Sequence, residues 1–379
     1  MSCSGKMTTV NISIADVEYD VCIARDLKSK ISRYLSEVTK NKKVLMVTDE
    51  YFELRYARKL KFSLEEYGFD VQLYVIPGGK SSKSFNVALK IYGVLETENY
   101  ARDSTLIALG GGVIGDLAGF VASTWYRGMN LLHVPTTLMG MVDSSIGGKV
   151  AINFRNTINA VGNYYHPIAN YMDIDHIDAL PERDYISGLA EVVKCGLIAD
   201  NELLNYLTIN HLPILARESD HLIHCIKRSI EIKVDHVKND VKEGGKRLLL
   251  NYGHTLGHAI EMATHTDQGE TFRHGEGVSL GICAVLLLAE EHLGFSSSDS
   301  KYVRSLLQLL RLPIDFSAAG IGYTRESLID KCMRLMLKDK KRKDNSLRFI
   351  LVDKLGHANT YVGLDDAQIY RAFESVIKE

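Results

Sequence analysis

The pattern of apolar residues changes near residues 175–181, from alternating strands and helices to helices. This change constrains the possible fold more than any other feature of the sequence. Before it, short apolar runs alternate with amphipathic helical patterns. The predicted strands are 43–48, 71–76 and 104–109, and the predicted helices are 51–67 and 84–99. Strands and helices that alternate at this spacing indicate a parallel, doubly wound sheet with helices on its faces.

Beyond residue 181 nearly every segment has the apolar periodicity of a helix, most clearly at 186–198, 222–237 and 278–292. We therefore predict an α/β doubly wound nucleotide-binding domain over residues 1–178, followed by an all-α domain over residues 179–379. Ligands commonly bind between two such domains, so we expect the site to lie in an interdomain cleft.

Composition excludes several classes of protein. The 379 residues carry a formal net charge of -2, so the chain has no general attraction to nucleic acid or to anionic lipid. Its six cysteines form no Cys-x-x-Cys pair, which argues against a disulfide framework and a cysteine zinc site. The N-terminus lacks an apolar signal core, and the apolar run at 282–289 is too short to span a membrane. We expect a cytoplasmic globular protein.

A glycine-rich turn lies between a predicted strand and a predicted helix. The sequence Gly-Gly-Gly-Val-Ile-Gly-Asp at 110–116 follows the strand at 104–109. Glycines at such a turn let backbone N–H groups approach a pyrophosphate at the helix N-terminus, where the helix dipole favours negative charge. The spacing is not the G-x-G-x-x-G of standard dinucleotide folds, and a tight strand-to-helix turn explains these glycines about equally well.

A second dense polar segment occupies residues 134–149. It contains Thr136, Thr137, Asp143 and Lys149, together with a glycine pair. Glycines allow a close approach to a ligand, and Lys149 supplies a point charge suited to phosphate. A polar loop between strands is the plainer alternative, but the density of small polar residues favours a phosphorylated ligand.

Asn251, His254 and His258 have the spacing that would present an amide and two imidazoles on one helix face. A further imidazole, His274, follows in a segment that we predict to be a glycine-punctuated loop. Two neutral imidazoles with a carboxylate are a common zinc site, and Glu191 is a candidate carboxylate. The spacing does not choose between His258 and His274 as the second imidazole. No glutamate follows His254 directly, so the pair does not match a metalloprotease motif.

Glu191 lies in a predicted helix, with Lys194 one turn later. A lone pair of this kind is usually a surface ion pair that contributes little to stability. Glu191 is therefore a functional candidate only as the carboxylate ligand that the histidine cluster lacks.

Taken together, these motifs resemble the 3-dehydroquinate synthase family, the sugar-phosphate cyclases. The resemblance extends from about residue 49 to residue 341, and the motifs occur in the family's order. They are Gly-Gly-Gly-Val-Ile-Gly-Asp at 110–116, Pro-Thr-Thr at 135–137, Asp-Ser-Ser-Ile-Gly-Gly-Lys at 143–149, Gly-Leu-Ala-Glu-Val-Val-Lys at 188–194 and Asn-Tyr-Gly-His-Thr-Leu-Gly-His at 251–258. The implied fold is dehydroquinate synthase-like, with an NAD-binding α/β domain and an α-helical metal- and substrate-binding domain.

The resemblance implies two cofactors and the residues that hold them. A zinc ion (Zn2+, or Co2+) would be held by Glu191, His254 and His274. NAD would bind over the glycine turn, and the implied contacts are Asp49, Lys83, Gly111, Gly112, Val113, Gly115, Asp116, Thr136, Thr137 and Lys149. The implied substrate-pocket residues are Arg127, Asp143, Lys149, Asn159, Lys194, Lys233, Arg247, Asn251, His258 and Lys340.

The implied activity is conversion of the sugar phosphate 3-deoxy-D-arabino-heptulosonate 7-phosphate to 3-dehydroquinate and phosphate, a step of the shikimate pathway of aromatic amino acid biosynthesis. NAD would oxidise the substrate transiently and be regenerated after phosphate elimination and ring closure. Lys233 and Arg247 would bind the substrate carboxylate, whereas its phosphate would be surrounded by Lys149, Asn159, Asn251, His258 and Lys340. The family is typically dimeric, and Arg127 would then reach the neighbouring subunit's site.

Three positions depart from the family pattern on the cofactor side. Lys80 replaces an acid, Ile158 replaces the lysine of a Gly-Lys-Asn stretch, and Ala179 replaces the threonine of Thr-Leu-Pro. We hypothesise that these changes alter dinucleotide binding, since a lysine in place of an acid would admit a 2′-phosphate.

The sequence leaves three alternative functions open. The first is a specialised sugar-phosphate cyclase of the amino-dehydroquinate, inosose or valiolone type, although Asn251 and His258 differ from the valiolone branch and Asn251 differs from the inosose branch. The second is a catalytically idle paralogue, against which the complete set of Glu191, His254 and His274 argues. The third is a metal-dependent polyol dehydrogenase, whose usual set of an aspartate and three histidines the chain does not show.

Overall fold

The computed structural model describes residues 7–155, 157–266, 269–340 and 347–379, without the side chains of 337–340. Its contacts divide the chain into two compact units. Unit 1 comprises Met1–Leu180 with Leu222–Val234, and unit 2 comprises Pro181–His221 with Asp235–Glu379. The domain bounds at 178 and 179 stay a prediction.

Unit 1 is built on a seven-stranded sheet with helices between its strands. The strands of unit 1, including β7 and β8 that lie outside this sheet, are β1 (Thr8–Ile14), β2 (Val17–Ala24), β3 (Lys43–Asp49), β4 (Asp70–Ile76), β5 (Thr105–Gly110), β6 (Asn130–Pro135), β7 (Lys149–Phe154), β8 (Thr157–Tyr164) and β9 (Ala169–Asp173). Its helices are α1 (Lys28–Val38), α2 (Glu50–Phe52), α3 (Arg58–Glu66), α4 (Phe85–Thr97), α5 (Gly112–Thr124) and α6 (Asp175–Asp178). A π turn, Glu53–Ala57, joins α2 to α3.

The sheet has the order β1-β2-β9-β6-β5-β3-β4. Strand β1 is antiparallel to β2, and all other neighbours are parallel. Strands β7 and β8 form a separate antiparallel pair. The predicted parallel, doubly wound sheet is therefore confirmed.

The central strands are buried because their sequences are uninterrupted apolar runs. All six residues of β5 are buried, as expected for a parallel strand that is covered on both faces. Leu45 of β3 and Leu106 of β5 share one core cluster with Ala118 and Val121 of α5. This core fixes α5, and with it the glycine turn that precedes α5.

The strand connections reverse direction between β3 and β5. The chain leaves β3 toward β4 on one side, and it leaves β5 toward β6 on the other. These adjacent strands end at Asp49 and Gly110. Ligands of open α/β sheets bind at such a reversal, outside the carboxyl ends of the strands. Asp49 and the glycine turn thus lie where a nucleotide site is expected.

Unit 2 is largely helical, as predicted. Its helices are α7 (Glu182–Ala199), α8 (Asn201–Ile209), α9 (His211–Leu215), the ends of α10 (Ser219–Val237), α11 (His254–Thr264), α12 (His274–Leu293), α13 (Ser297–Leu309), α14 (Arg325–Lys340) and α15 (Asp366–Val376). Two small sheets, which the helical periodicity did not predict, are formed by β10 (Phe316–Ser317) with β13 (Ile377–Lys378) and by β11 (Arg348–Lys354) with β12 (His357–Val362). Within the described ranges, no helix has the length and apolar character needed to cross a bilayer.

His133 of β6 makes the stability of the fold depend on pH. It is 4 % exposed, and burial lowers its pKa to about 4. The imidazole is therefore neutral in the folded chain, whereas the unfolded chain protonates it below about pH 6.5. Because the unfolded state binds more protons between these values, we expect the free energy of unfolding to fall by about 3 kcal/mol as the pH falls from about 6.5 to about 4.

Urea unfolding at a series of pH values measures this loss. The matched variant is His133→Gln, which keeps a polar side chain of similar size but does not titrate. Its free energy of unfolding should depend less steeply on pH over the same range. An identical slope in the two proteins would show that His133 is not responsible.

Candidate active site

Helices α7, α11 and α12 of unit 2 carry the predicted metal ligands, and glycines at their contacts allow the backbones to approach closely. A Cβ on Gly275 of α12 would lie 1.8 Å from the carbonyl oxygen of Ser187 in α7. A Cβ on Gly257 of α11 would lie 2.4 Å from the carbonyl oxygen of Gly277 in α12. Larger residues at these positions would push the helices apart, so the glycines bring the polar side chains of all three helices together.

Glu191 lies at the centre of this cluster. Its side chain is 1 % exposed, and its Oε1 lies 3.5 Å from Nε2 of His254 and 3.5 Å from Nε2 of His274. These separations are long for hydrogen bonds. A tetrahedral zinc ion with ligands at about 2.0–2.1 Å would separate its donor atoms by about 3.3 Å. The three donor atoms therefore fit a divalent metal ion.

Both imidazoles are oriented by a contact on their other ring nitrogen. Nδ1 of His254 lies 3.0 Å from the carbonyl oxygen of Tyr252, and Nδ1 of His274 lies 3.2 Å from Oε1 of Glu261. A carbonyl or carboxylate oxygen accepts, so Nδ1 donates in both contacts. The lone pair of a neutral ring then lies on Nε2, which faces Glu191. Metal-binding histidines usually have this arrangement.

His258 is the fourth polar side chain of the cluster, and it is exposed. The centroid of its ring lies 5.2 Å from the ring centroid of His254 and 5.3 Å from that of His274. One ring nitrogen from each of the three histidines lies within 4.8 Å of the other two. The distances alone therefore allow two ligand sets, Glu191 with two histidines or three histidines. The first set also explains why Oε1 of Glu191 is buried without a hydrogen bond among the described residues.

Lys194 forms an ion pair with Oε2 of Glu191, and the two side chains are only 2 % and 1 % exposed. The expectation of a surface ion pair was wrong because every residue of α7 from Ser187 to Ile198 is buried. Burial acts to raise the pKa of Glu191, but Lys194 and the nearby imidazoles hold that pKa well below its usual range. The cluster thus contains an ionised carboxylate.

In unit 1, Lys83 joins two predicted site residues. Its Nζ contacts Oδ2 of Asp116 and Oδ1 of Asn159, and the lysine is buried. Asn159 has a positive φ of 54°, a conformation that asparagine tolerates, and its N–H donates to Oδ1 of Asn153 at 3.0 Å. Burial raises the pKa of Asp116, and Lys83 opposes this shift. Lys83 and Asp116, which are implied cofactor contacts, therefore form one hydrogen-bonded group with Asn159, an implied substrate contact.

The glycine turn begins α5, as predicted. Gly111 is the N-cap of this helix and provides no side-chain hydrogen bond. A Cβ on Gly112 would lie 3.1 Å from Oγ of Ser144, and a Cβ on Gly111 would lie 3.1 Å from Cγ2 of Thr137. The first N–H groups of the helix, including that of Val113, thus have no capping side chain. Such groups favour an anion.

Two further predicted aspartates of unit 1 already have protein partners. Oδ1 and the carbonyl oxygen of Asp143 each lie 2.6 Å from Nζ of Lys233, which is buried. Asp49 accepts hydrogen bonds from the N–H groups of Tyr51 and Phe52 and so caps α2. Burial raises the pKa of Asp49.

The other predicted residues of unit 1 differ widely in exposure. Thr136 is buried, and its N–H donates to the carbonyl oxygen of Gly110 at 3.0 Å. Thr137 is half-buried, while Lys149, the first residue of β7, is exposed. Arg127 is also exposed and has a positive φ of 64°.

Two of the remaining predicted residues of unit 2, Arg247 and Asn251, lie in the 3₁₀ turn Lys246–Asn251 that precedes α11. Arg247 is buried and donates to the carbonyl oxygen of Val241 at 2.7 Å. Asn251 donates to Oε1 of Glu243 at 2.7 Å. Lys340 ends α14, and its side chain lies outside the described part of the structure.

The helix predicted to carry Asn251, His254 and His258 together is wrong in its first half. Asn251 ends the 3₁₀ turn Lys246–Asn251, and α11 begins only at His254. Gly253 separates the two with a φ of +76°, in the left-handed region that interrupts a right-handed helix. Of the three predicted residues, only His254 and His258 therefore share a face of α11.

The loop predicted around His274 is also wrong. His274 is the first residue of α12. Glu276 accepts a hydrogen bond from the N–H of Arg273 at 2.8 Å, and this capping contact begins the helix despite the neighbouring glycines.

Sequence comparison finds relatives over nearly the whole chain. The family profiles described as 3-dehydroquinate synthase N-terminal and C-terminal match residues 73–187 and 188–342. The 3-dehydroquinate synthase of Desulforamulus reducens is 37 % identical over 363 residues, which cover 96 % of this chain and 98 % of that protein. This chain belongs to the 3-dehydroquinate synthase family.

Two solved structures have the same fold as this chain. One is 2-deoxy-scyllo-inosose synthase complexed with carbaglucose-6-phosphate, NAD+ and Co2+, with a TM-score of 0.85, 23 % identity and coverage of 97 % of this chain and 99 % of that chain. The other is 2-epi-5-epi-valiolone synthase from Streptomyces hygroscopicus with NAD+ and Zn2+ bound, with a TM-score of 0.85, 23 % identity and coverage of 96 % and 98 %.

Two carboxylates near the candidate site of this 3-dehydroquinate synthase family member, Glu261 and Glu243, were not predicted from the sequence. Glu261 lies on α11 at the i+7 position from His254, so the helical spacing that paired the histidines was sufficient to find it. Glu243, the partner of Asn251, has a positive φ of 63° in a turn. We find no sequence signal for that contact.

The three departures from the 3-dehydroquinate synthase pattern lie in different settings of unit 1. Lys80 is exposed at the start of the 3₁₀ turn Lys80–Ser82. Ile158 is 56 % exposed on β8. Ala179 contributes its carbonyl oxygen, which accepts from the hydroxyl of Tyr51. A backbone contact of this kind does not require the family's threonine.

Proposed function

We propose that this chain is a 3-dehydroquinate synthase, which converts 3-deoxy-D-arabino-heptulosonate 7-phosphate to 3-dehydroquinate and phosphate. The observation that carries this proposal is the 37 % identity to the 3-dehydroquinate synthase of Desulforamulus reducens, which extends over nearly the full length of both proteins. The substrate carries a carboxylate, a phosphate and several hydroxyls. The cationic and amide side chains among the predicted substrate residues suit these groups.

The proposed cofactors are NAD and one zinc or cobalt ion. Two proteins of the same fold contain NAD+ with Co2+ or Zn2+ in their solved structures. We assign the metal to Glu191, His254 and His274, because their three donor atoms have a suitable spacing and orientation. We assign NAD to the glycine turn and the carboxyl end of β3. When bound, NAD accepts and returns a hydride, and the metal acts as a Lewis acid.

The residues of the chain would bind and orient one flexible substrate through all steps. Arg247 presents a planar guanidinium that suits a two-pronged contact with a carboxylate, and Lys233 adds an ammonium that Asp143 holds in place. The proposed phosphate ligands are Lys149, Asn159, Asn251, His258 and Lys340. Lys194 would lie beside the metal ligand Glu191 and fix its carboxylate. Catalysis by such a site is mainly positioning and electrostatic stabilisation.

We also propose a cytoplasmic homodimer with an NAD-binding domain over 1–178 and a metal- and substrate-binding domain over 179–379. A reducing compartment is supported by the described cysteines, which are all buried and form no disulfide; they are Cys22, Cys195, Cys225, Cys283 and Cys332. The exposed Arg127 is the proposed contact to the neighbouring subunit's site.

The test is phosphate release from 3-deoxy-D-arabino-heptulosonate 7-phosphate by zinc-loaded protein with NAD, with NADP and with neither. We expect NAD-dependent release, one 3-dehydroquinate for each phosphate and no accumulation of NADH. Equal rates with NADP would support the altered dinucleotide binding suggested by Lys80. An inert protein that binds both metal and NAD would contradict the proposal and favour a specialised cyclase of the same family. Net NADH formation from a simple polyol would favour a dehydrogenase.

A further inference from the structure

We propose that Glu261 is a positioning residue of the metal site and acts through His274. The inference rests on the proposed metal ligands and extends them by one residue that none of the motifs above contains. Oε1 of Glu261 lies 3.2 Å from Nδ1 of His274, on the side of the ring opposite the nitrogen that faces Glu191. The Glu261 side chain is only 12 % exposed. Glu261 therefore contacts the ring through Nδ1 and is not itself a metal ligand.

The absence of a side chain at Gly277 leaves the space that the Glu261 side chain occupies. A Cβ on Gly277 of α12 would lie 2.6 Å from Cγ and 2.6 Å from Oε1 of Glu261. The glycine thus leaves room for the glutamate directly beside the helical turn that begins with His274. Glu261 also shares one face of α11 with His254 and His258 through the i, i+4 and i+7 spacing.

A carboxylate in this position would influence metal binding in two ways. It fixes the plane of the His274 ring and keeps the proton on Nδ1, so that the lone pair of Nε2 points toward Glu191. Its negative charge also makes the ring a stronger electron donor to a metal ion. Loss of an outer carboxylate of this type typically weakens metal binding by about 10–100-fold.

The experiment compares zinc binding by the wild type and by Glu261→Gln, which keeps the size of the side chain and removes its charge. Competition with a zinc chelator gives the Kd, and the visible absorption spectrum of the cobalt-substituted protein reports the ligand geometry. We expect the Kd for zinc to rise by about 10–100-fold and the cobalt spectrum to change. A purely structural role would leave both readouts unchanged in folded protein.

The matched control is Glu270→Gln. Glu270 also lies close to His274 in sequence and is 19 % exposed, but its carboxylate lies 3.6 Å from Arg273. This variant should bind zinc within about twofold of the wild type, because the carboxylate that it removes pairs with Arg273, whereas Nδ1 of His274 contacts Glu261. An equal loss of affinity in both variants would attribute the effect to net charge and overturn the role of Glu261.

The outcomes separate this inference from the proposed function. A wild type that binds no zinc would contradict the metal site itself. Tight zinc binding by the wild type and equally tight binding by E261Q would overturn only the role of Glu261. Should E261Q not fold, Glu261→Asp provides the same comparison, since it keeps the charge but shortens the reach to Nδ1. Unchanged zinc affinity in E261D would then count against the proposal.

Discussion

Glu191→Gln should lower kcat/KM by about 10³-fold, which corresponds to about 4 kcal/mol of lost transition-state stabilisation. The amide keeps the size of the side chain, but it is neutral and a poor ligand for a divalent ion. Oε1 lies 3.5 Å from both candidate ligand nitrogens, so the change affects the centre of the cluster. Steady-state kinetics and the metal content of the purified variant measure the effect. An active variant with a full complement of zinc would contradict the assignment of Glu191.

The same variant should also lose stability because it removes the carboxylate that forms a buried ion pair with the ammonium of Lys194. Removing one member of a buried pair typically costs about 3–5 kcal/mol. The double variant Glu191→Gln with Lys194→Met serves as the control, since it removes both charges. Its free energy of unfolding should recover, while its zinc affinity should stay low. Recovery of zinc binding in the double variant would show that the carboxylate is not needed.

Gly275→Ala is the second change with a large expected effect. The new Cβ would lie 1.8 Å from the backbone oxygen of Ser187, and a backbone atom cannot move aside as a side chain can. We expect the free energy of unfolding to fall by about 3 kcal/mol or more, since overpacking of this kind forces the backbone to shift. Because α7 and α12 would separate, Glu191 would also move away from His274. Zinc affinity should therefore fall although no ligand has changed.

Gly93→Ala is the matched control for this substitution. Gly93 lies inside α4, and a Cβ there would meet nothing within 4 Å. Alanine in a helix interior is favoured over glycine by about 0.5–1 kcal/mol, so this variant should be slightly more stable than the wild type. Urea unfolding and zinc titration of both variants make the comparison. A G275A protein as stable as G93A would show that the two helices separate at little cost.

The parallel sheet was predictable because its strands are local patterns. The predicted strands 43–48, 71–76 and 104–109 correspond to β3, β4 and β5 within one residue at each end. Strands β3 and β5 contain continuous apolar runs at 44–47 and 106–109, which is the pattern of a strand covered on both faces, whereas β4 is interrupted by Gln72 and is only partly buried. The position of the glycine turn was predictable in the same way, because the glycines directly follow the apolar run of β5 in the sequence. Beyond residue 181 the helical periodicity predicted α7, α10 and α12 but not the two small sheets.

The geometry of the candidate site was less predictable because its contacts join distant parts of the chain. Spacing paired His254 with His258, but it offered no way to recognise that His274 begins a helix or that Glu191 lies against it. The orientation of both rings depends on Tyr252 and Glu261, and the second of these reaches across to another helix. The burial of Lys194 likewise follows from the packing of α7 and not from its local sequence.

The origin of the donor atoms in three separate helices has a consequence for the folding equilibrium. An unfolded chain offers only local pairs such as His254 with His258, so a metal ion held by Glu191, His254 and His274 would bind the folded state almost exclusively. Each tenfold rise in free metal above the Kd would then add about 1.4 kcal/mol to the free energy of unfolding. The resistance of this protein to unfolding would thus be a joint property of its sequence and of the metal supply in its surroundings.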